Sequence, residues 1–169
     1  YRYAYMTIYR ANKIVDGFVN NPTPYQSLVV AEAKTVRAYM YLELVSLFGP
    51  VPLTTHELAP SQWQAPSSTV EEIYAQIELD LNEAIDALPA KSNMADAGID
   101  LARASKGTAQ ALLGKALLYQ KKYGDAAAAL QDLIDADEYG LYTLDELGYG
   151  SNEMAYSQLF RKSTEFGKD

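Results

Sequence analysis

Residues 27–49 read SLVVAEAKTVRAYMYLELVSLFG, and the reading of this stretch decides the fold. Its apolar residues, Val29, Val30, Ala33, Val36, Tyr39, Met40, Leu44, Leu47 and Phe48, recur at steps of three and four. That is the period of an α-helix. Tyr41, Leu42 and Val45 fill part of the opposite face, so the spacing predicts a rod that is apolar nearly all round. Such a helix is expected to be buried on most sides, with other helices packed about it. Gly49 and Pro50 end it, because Gly can take a left-handed closing conformation and Pro cannot continue the helix. Glu32 and Arg37 lie inside this oily segment. A buried charge is costly unless paired, so each is expected to have a partner on a neighbouring helix.

On the N-terminal side, YRYAYMTIYRANKIVDGF forms an amphipathic helix over about residues 3–18. Tyr5, Ile8, Tyr9, Asn12, Ile14 and Val15 mark its inner side, and Gly17, Asn20, Asn21 and Pro22 close it. The chain thus opens already inside a helix, from which we expect a fragment of a larger protein, with any targeting signal upstream.

On the C-terminal side, residues 50–67 form a long irregular insertion rich in proline, expected to be either functional or packed down over the core. A helix start follows: Ser68 with Glu71, or Thr69 with Glu72, makes a capping box. Val70, Ile73, Tyr74, Ile77, Leu81, Ala84, Ile85 and Leu88 then keep helical spacing until Pro89. Residues 90–101 are small, polar and charged, and read as an exposed loop. Ser105 caps the next helix, whose inner face is Ala109, Leu112, Leu113, Ala116, Leu117 and Gln120. After a break expected at Tyr123-Gly124, a further helix turns Ala126, Ala129, Leu130, Leu133 and Ile134 inward. Asp125 sits at its start, where the helix dipole favours a carboxylate. A short helix is expected near residues 152–160.

The pair of helices over residues 110–133 is close to a tetratricopeptide repeat. Leu113-Gly114, Tyr123, Ala126 and Leu130 fall on that motif's steps, while Gln110 stands where it usually has Trp. Gly114 and Ala126 are expected to let the two helices approach closely, and Tyr123 to plug the turn. The fold class expected is therefore all-α: stacked antiparallel helical hairpins in a single domain over residues 1–169, right-handed as a stack.

Composition narrows the function. The 169 residues are enough for one domain with a sizeable core, and 49 % of them are hydrophobic. The net charge of −8 would repel phosphate backbones, which argues against a nucleic-acid partner. With no Cys there is no disulfide, thiol nucleophile or thiolate metal site. No apolar run is long enough to cross a membrane as a helix. The single histidine, His56, lies beside Glu57 but not at a metal-binding spacing, and reads as a surface-loop residue. Glu71-Glu72 and Asp80-Glu83 read as solvated or capping acids, and Ser67 and Ser68 have no base near them in sequence. No catalytic residue, cofactor or metal is therefore expected. Arg37, Asp80 and Arg103 stand out: Asp80 falls on the largely polar flank of an otherwise regular helix and Arg37 inside the apolar one, and a buried structural pair is expected rather than a ligand clamp. Trp63, between Gln62 and Gln64 in the insertion, has two readings. An indole face beside amides suits a sugar ring; alternatively, the indole pins its own loop to the core.

Several of these segments in order resemble the SusD/RagB family. They are Glu32-Ala33 with Arg37-Ala38, Phe48-Gly49 before Val51-Pro52, Glu72-Ile73-Tyr74 and Asp80-Leu81 closing on Leu88-Pro89, Arg103-Ala104 with Lys106-Gly107, and EYGLY. Asn12 fits the family's upstream helix. The resemblance implies a tetratricopeptide-like helical scaffold and no enzymatic activity. It implies a lipoprotein on the outer face of the outer membrane, anchored through a lipid outside this chain. Its partners would be an oligosaccharide or peptide nutrient and a SusC-like TonB-dependent transporter. A tetratricopeptide-type protein-interaction module is the alternative; a glycosidase with paired carboxylates ranks last, because the acids are dispersed along helices.

Overall fold

The computed structural model describes residues 1–59 and 64–140; the run over residues 141–150 and the helix expected near residues 152–160 lie outside the described residues. Among the described residues are six helices: α1 (Arg2–Gly17), α2 (Pro24–Phe48), α3 (Val70–Ala87), α4 (Lys91–Asp96), α5 (Lys106–Tyr119) and α6 (Tyr123–Asp135). The chain pairing that comes nearest to a strand among those residues is an isolated antiparallel bridge, Pro52 to Ser67.

Local chemistry sets the helix starts. Thr69, not Ser68, caps α3: its Oγ1 accepts from the Glu72 N–H at 3.2 Å while Glu72 Oε2 accepts from the Thr69 N–H at 2.8 Å. Ser105 caps α5 through Thr108 in the same reciprocal way. The start of α2 is earlier than the apolar pattern implies. Thr23 and Gln26 form a third capping box, and Pro24 takes the first helical position, where no N–H is needed. Gly49, at φ 68°, closes α2.

Successive helices pack on one another: α1 on α2, α2 on α3, α3 on α5, α5 on α6, with a lighter contact between α2 and α5. The result is a layered all-α stack of hairpins. Its core runs through Ile8, Ala38, Tyr41, Leu42, Val45, Ile73, Ile77, Leu81, Ala109, Leu113 and Ala116.

Three expectations about this packing are corrected. First, α2, expected to be buried on most sides, keeps an exposed apolar stripe. Tyr41, Leu42 and Val45 make its core face, whereas Val36, Tyr39, Leu47 and Phe48 are exposed, Leu47 at 72 %. An all-round apolar helix gives no periodic signal that ranks its faces; the neighbours do that, and here they cover one side. Second, residues 90–101 are not simply an exposed loop. They contain α4, whose Met94 side chain is buried and whose Met94 carbonyl accepts from the Ile99 N–H at 2.8 Å. Third, the turn between α5 and α6 lies at residues 120–122, with Lys121 at φ 63°, rather than at Tyr123-Gly124. Tyr123 belongs to the first turn of α6 and is 63 % exposed, so it plugs nothing; Ile134 also faces outward. The close approach at Gly114 is present: a Cβ there would lie 2.5 Å from Leu130 Cδ2.

The segment after α6 clasps the far end of the stack. Glu138 accepts from the Ser92 N–H at 2.9 Å and from its hydroxyl at 2.7 Å. The Tyr139 hydroxyl lies 2.7 Å from Ser105 Oγ, with its ring against Gly107.

Candidate functional site

The insertion after Gly49 does not wander. Val51 is buried, and its carbonyl accepts from the Ser68 N–H at 2.9 Å, drawing the two ends of the insertion together. Between them, residues 51–58 lie as a strap across α1 and α2, gripped by its carbonyl oxygens. Tyr5 donates to the Pro52 carbonyl at 2.6 Å. The Asn12 amide donates to the Thr54 and His56 carbonyls, both at 3.0 Å. The Tyr41 hydroxyl donates to the Thr54 carbonyl at 2.9 Å and accepts from the Thr54 N–H at 2.7 Å. Burial pushes the Tyr5 and Tyr41 phenols up from their ordinary pKa, so both keep the proton they donate.

Beneath the strap, Arg37 is the hub. Its Nε donates to Asp80 Oδ2 at 2.8 Å and its Nη2 to Asp80 Oδ1 at 2.6 Å, a two-pronged pair between α2 and α3 with both side chains buried. Its Nη1 donates to Asn12 Oδ1 and to the Thr55 carbonyl, each at 2.8 Å. Gln76 adds a bond to Asp80 Oδ1 at 3.0 Å. One guanidinium thereby ties α1, α2, α3 and the strap together. Among the described residues no buried side-chain nitrogen or oxygen lacks a partner. Glu32 and Arg103 form a second two-pronged pair, with both bonds at 2.7 Å, joining α2 to the segment before α5. Donating to the Glu32 carboxylate holds the Arg103 guanidinium well above its ordinary pKa. These four charges hold elements together.

Where the strap crosses α1 it leaves a groove of about 300 Å³. Tyr1, Tyr5 and Tyr9 line it from α1; Pro52, Leu58 and Ala65 line it from the insertion, with Asn12, Thr54 and His56 completing it. It lies at the small end of the range for ligand pockets and has the mainly apolar lining they share. Sequence reasoning placed Tyr5 and Tyr9 on the inner side of α1. Their spacing with Tyr1, one residue in four on one face, was the signal available. Gln64 is exposed, next to the groove-lining Ala65; Gln62 and Trp63 lie outside the described residues.

The rim carries charge. Lys13 Nζ is 3.7 Å from Glu57 Oε1, and Tyr9 donates to the same oxygen at 2.9 Å. At the C-terminal end of α1, Asp16 accepts from the Glu57 N–H at 2.7 Å and pairs with His56 Nδ1 at 2.9 Å. Burial works to raise the Asp16 pKa, but the Glu57 N–H and the His56 ring outweigh it and hold the carboxyl below its ordinary value. A carboxyl lowered on folding stabilises the fold above its unfolded value, and that contribution is lost as pH falls through the folded value. The stability difference between the natural chain and Asp16→Asn is therefore expected to be present at neutrality and to narrow as pH falls below about 4. Urea unfolding repeated down to about pH 3 measures it, and a difference that does not narrow at all between neutrality and about pH 3 contradicts the assignment.

Comparison with known proteins places this geometry in context. The sequence profile of a SusD-like family, described as starch-binding and associating with the outer membrane, matches residues 1–118. A SusD-like protein, P2, of Formosa agariphila is 33 % identical over 136 residues, covering 78 % of this chain and 26 % of that protein. Among solved structures, a laminarin-binding SusD-like protein is 38 % identical with a TM-score of 0.68, over 77 % of this chain and 28 % of that one. A SusD-like protein of Bacteroides fragilis superposes on 98 % of this chain and 31 % of its own, at 26 % identity and a TM-score of 0.80. This chain thus spans about a quarter of the length of the curated relative it matches. Both the profile match, which takes in α1, α2, α3 and most of α5, and the shared hairpin stack lead to one assignment: the chain belongs to the SusD-like family.

Proposed function

We propose that this chain is the helical scaffold of a cell-surface protein that binds extracellular oligosaccharides and passes them to a TonB-dependent outer-membrane transporter. The observation that carries the reading is the tyrosine-lined groove held open between α1 and the strap, in a chain of the SusD-like family. Aromatic faces beside polar groups are what a sugar ring requires, and the groove offers the first in a row. A laminarin-type glucan is the leading candidate ligand, because the 38 % identical relative is named for binding laminarin. Trp63, flanked by Gln62 and Gln64, is proposed as a further sugar contact on its chemistry. The role is binding rather than catalysis. The protein is placed on the outer face of the outer membrane, held by a lipid anchor outside the residues described.

Isothermal titration of the full natural chain against laminari-, malto- and xylo-oligosaccharides and short peptides tests the binding, and silence across the panel contradicts it. Affinity capture from detergent-solubilised outer membranes tests the delivery step, with a TonB-dependent transporter as the expected partner. The second reading, a protein-interaction module, is favoured by one feature. An apolar groove between α2 and α5, with Val36, Tyr39, Ala104 and Leu112 in its walls, has the form that receives a peptide in stacked hairpins. Capture of soluble proteins without a transporter would favour that reading.

A further inference from the structure

The groove along α1 is more particular than a glycan-binding role requires. Tyr1, Tyr5 and Tyr9 stand on one helix face at intervals of one turn, about 6 Å apart along the axis. The first two rings have their centroids 5.1 Å apart. Lys13 lies over the Tyr9 ring and ends the row. The Tyr5 and Tyr9 hydroxyls are already engaged, on the Pro52 carbonyl and the Glu57 carboxylate. What these residues have left to offer a ligand is aromatic surface.

The polar groups behind them are engaged as well. Asn12 is fixed on both sides, its amide on the strap carbonyls and its Oδ1 on Arg37. Thr54 is fixed by Tyr41 through both N–H and carbonyl. A charged ligand group entering the groove would lose its hydration and gain no ionic partner at the base. The rim offers little more, since Lys13 and His56 there are already paired with Glu57 and Asp16, and the whole chain carries −8. A pyranose ring has no such difficulty, because its C–H face needs only a ring to lie against and its hydroxyls remain in water.

We propose that this groove takes a linear, uncharged oligosaccharide running parallel to α1, roughly one pyranose ring per tyrosine, and discriminates against uronate- or sulfate-bearing chains. The proposal rests on the glycan-binding reading above. The test titrates the full natural chain with neutral linear oligosaccharides and with matched chains carrying uronate or sulfate groups. Tyr9→Ala is the main variant, since that side chain is half exposed and its loss leaves the core intact; Leu58→Ser, on the opposite wall, is the second. Neutral chains are expected to bind about tenfold more weakly or worse to Tyr9→Ala, the loss of one stacked ring. Charged chains are expected to bind the natural protein at least about tenfold more weakly than neutral ones. Neutral binding unchanged in both variants overturns the groove and leaves the glycan-binding reading standing. Equal affinity for charged and neutral chains overturns the discrimination. No binding of any glycan overturns the glycan-binding reading, and this proposal with it.

Discussion

Replacing Asp80 by alanine is expected to destabilise the protein by about 3–5 kcal/mol, a large share of the roughly 5–15 kcal/mol available to a domain of ordinary stability. The reason is the position of Arg37. Its side chain is 3 % exposed and Asp80's is fully buried, so removing the carboxylate leaves a cation in a dry site. Only the neutral acceptors Asn12 Oδ1 and the Thr55 carbonyl would remain to it. Equilibrium unfolding in urea measures the loss. The double variant Arg37→Met with Asp80→Leu should be milder than Asp80→Ala alone, because no unpaired charge stays inside. A loss under about 1 kcal/mol for the single variant would show that water reaches the pair and that it does not bind the helices together.

Tyr41→Ala is expected to cost about as much, roughly 3–5 kcal/mol, for a different reason. The ring is fully buried and meets the Tyr5 ring of α1 edge-on with centroids 6.4 Å apart. Truncation leaves a cavity where α2 meets α1 and the strap. Tyr41→Phe separates the two contributions. It keeps the packing but leaves the Thr54 N–H without its acceptor, for an expected loss of about 1–3 kcal/mol. Comparing the two variants by thermal unfolding gives the partition. Equal losses would mean that the hydroxyl, not the ring, dominates. Because Tyr5 lines the groove and leans on Tyr41, the alanine variant is also expected to weaken ligand binding at temperatures where it remains folded.

Much of the fold was legible because its signals are local. The capping boxes at Thr69 and Ser105, the helical spacing from Val70 to Leu88, and Gly114 as a contact point each depend on residues a few positions apart. The box at Thr23 was equally local, in the run Thr-Pro-Tyr-Gln, but the apolar pattern beyond it drew the boundary inward. What could not be read was relative exposure. Nothing in residues 27–49 says that Tyr41 faces inward and Tyr39 outward, since both sit among apolar neighbours and the choice is made by α1 and α3. The need for partners at Arg37 and Glu32 followed from the cost of burying charge; the bonds to Asp80 and Arg103 span 43 and 71 positions. The groove was hidden for the same reason. The hydrogen bonds that join its two sides span 42 to 48 positions along the chain, and only the backbone path of the strap brings them together.

That path has a consequence for how such a surface can diversify. Tyr5, Asn12, Arg37 and Tyr41 all hold the strap through carbonyl oxygens, which every amino acid possesses. These bonds are therefore indifferent to the side chains at residues 55 and 58, and exchanges there reshape one wall without loosening them, whereas His56 and Glu57 add ties of their own to Asp16 and Tyr9. The shape of that wall and the integrity of the architecture are thus set by different atoms, so one can change while the other is kept.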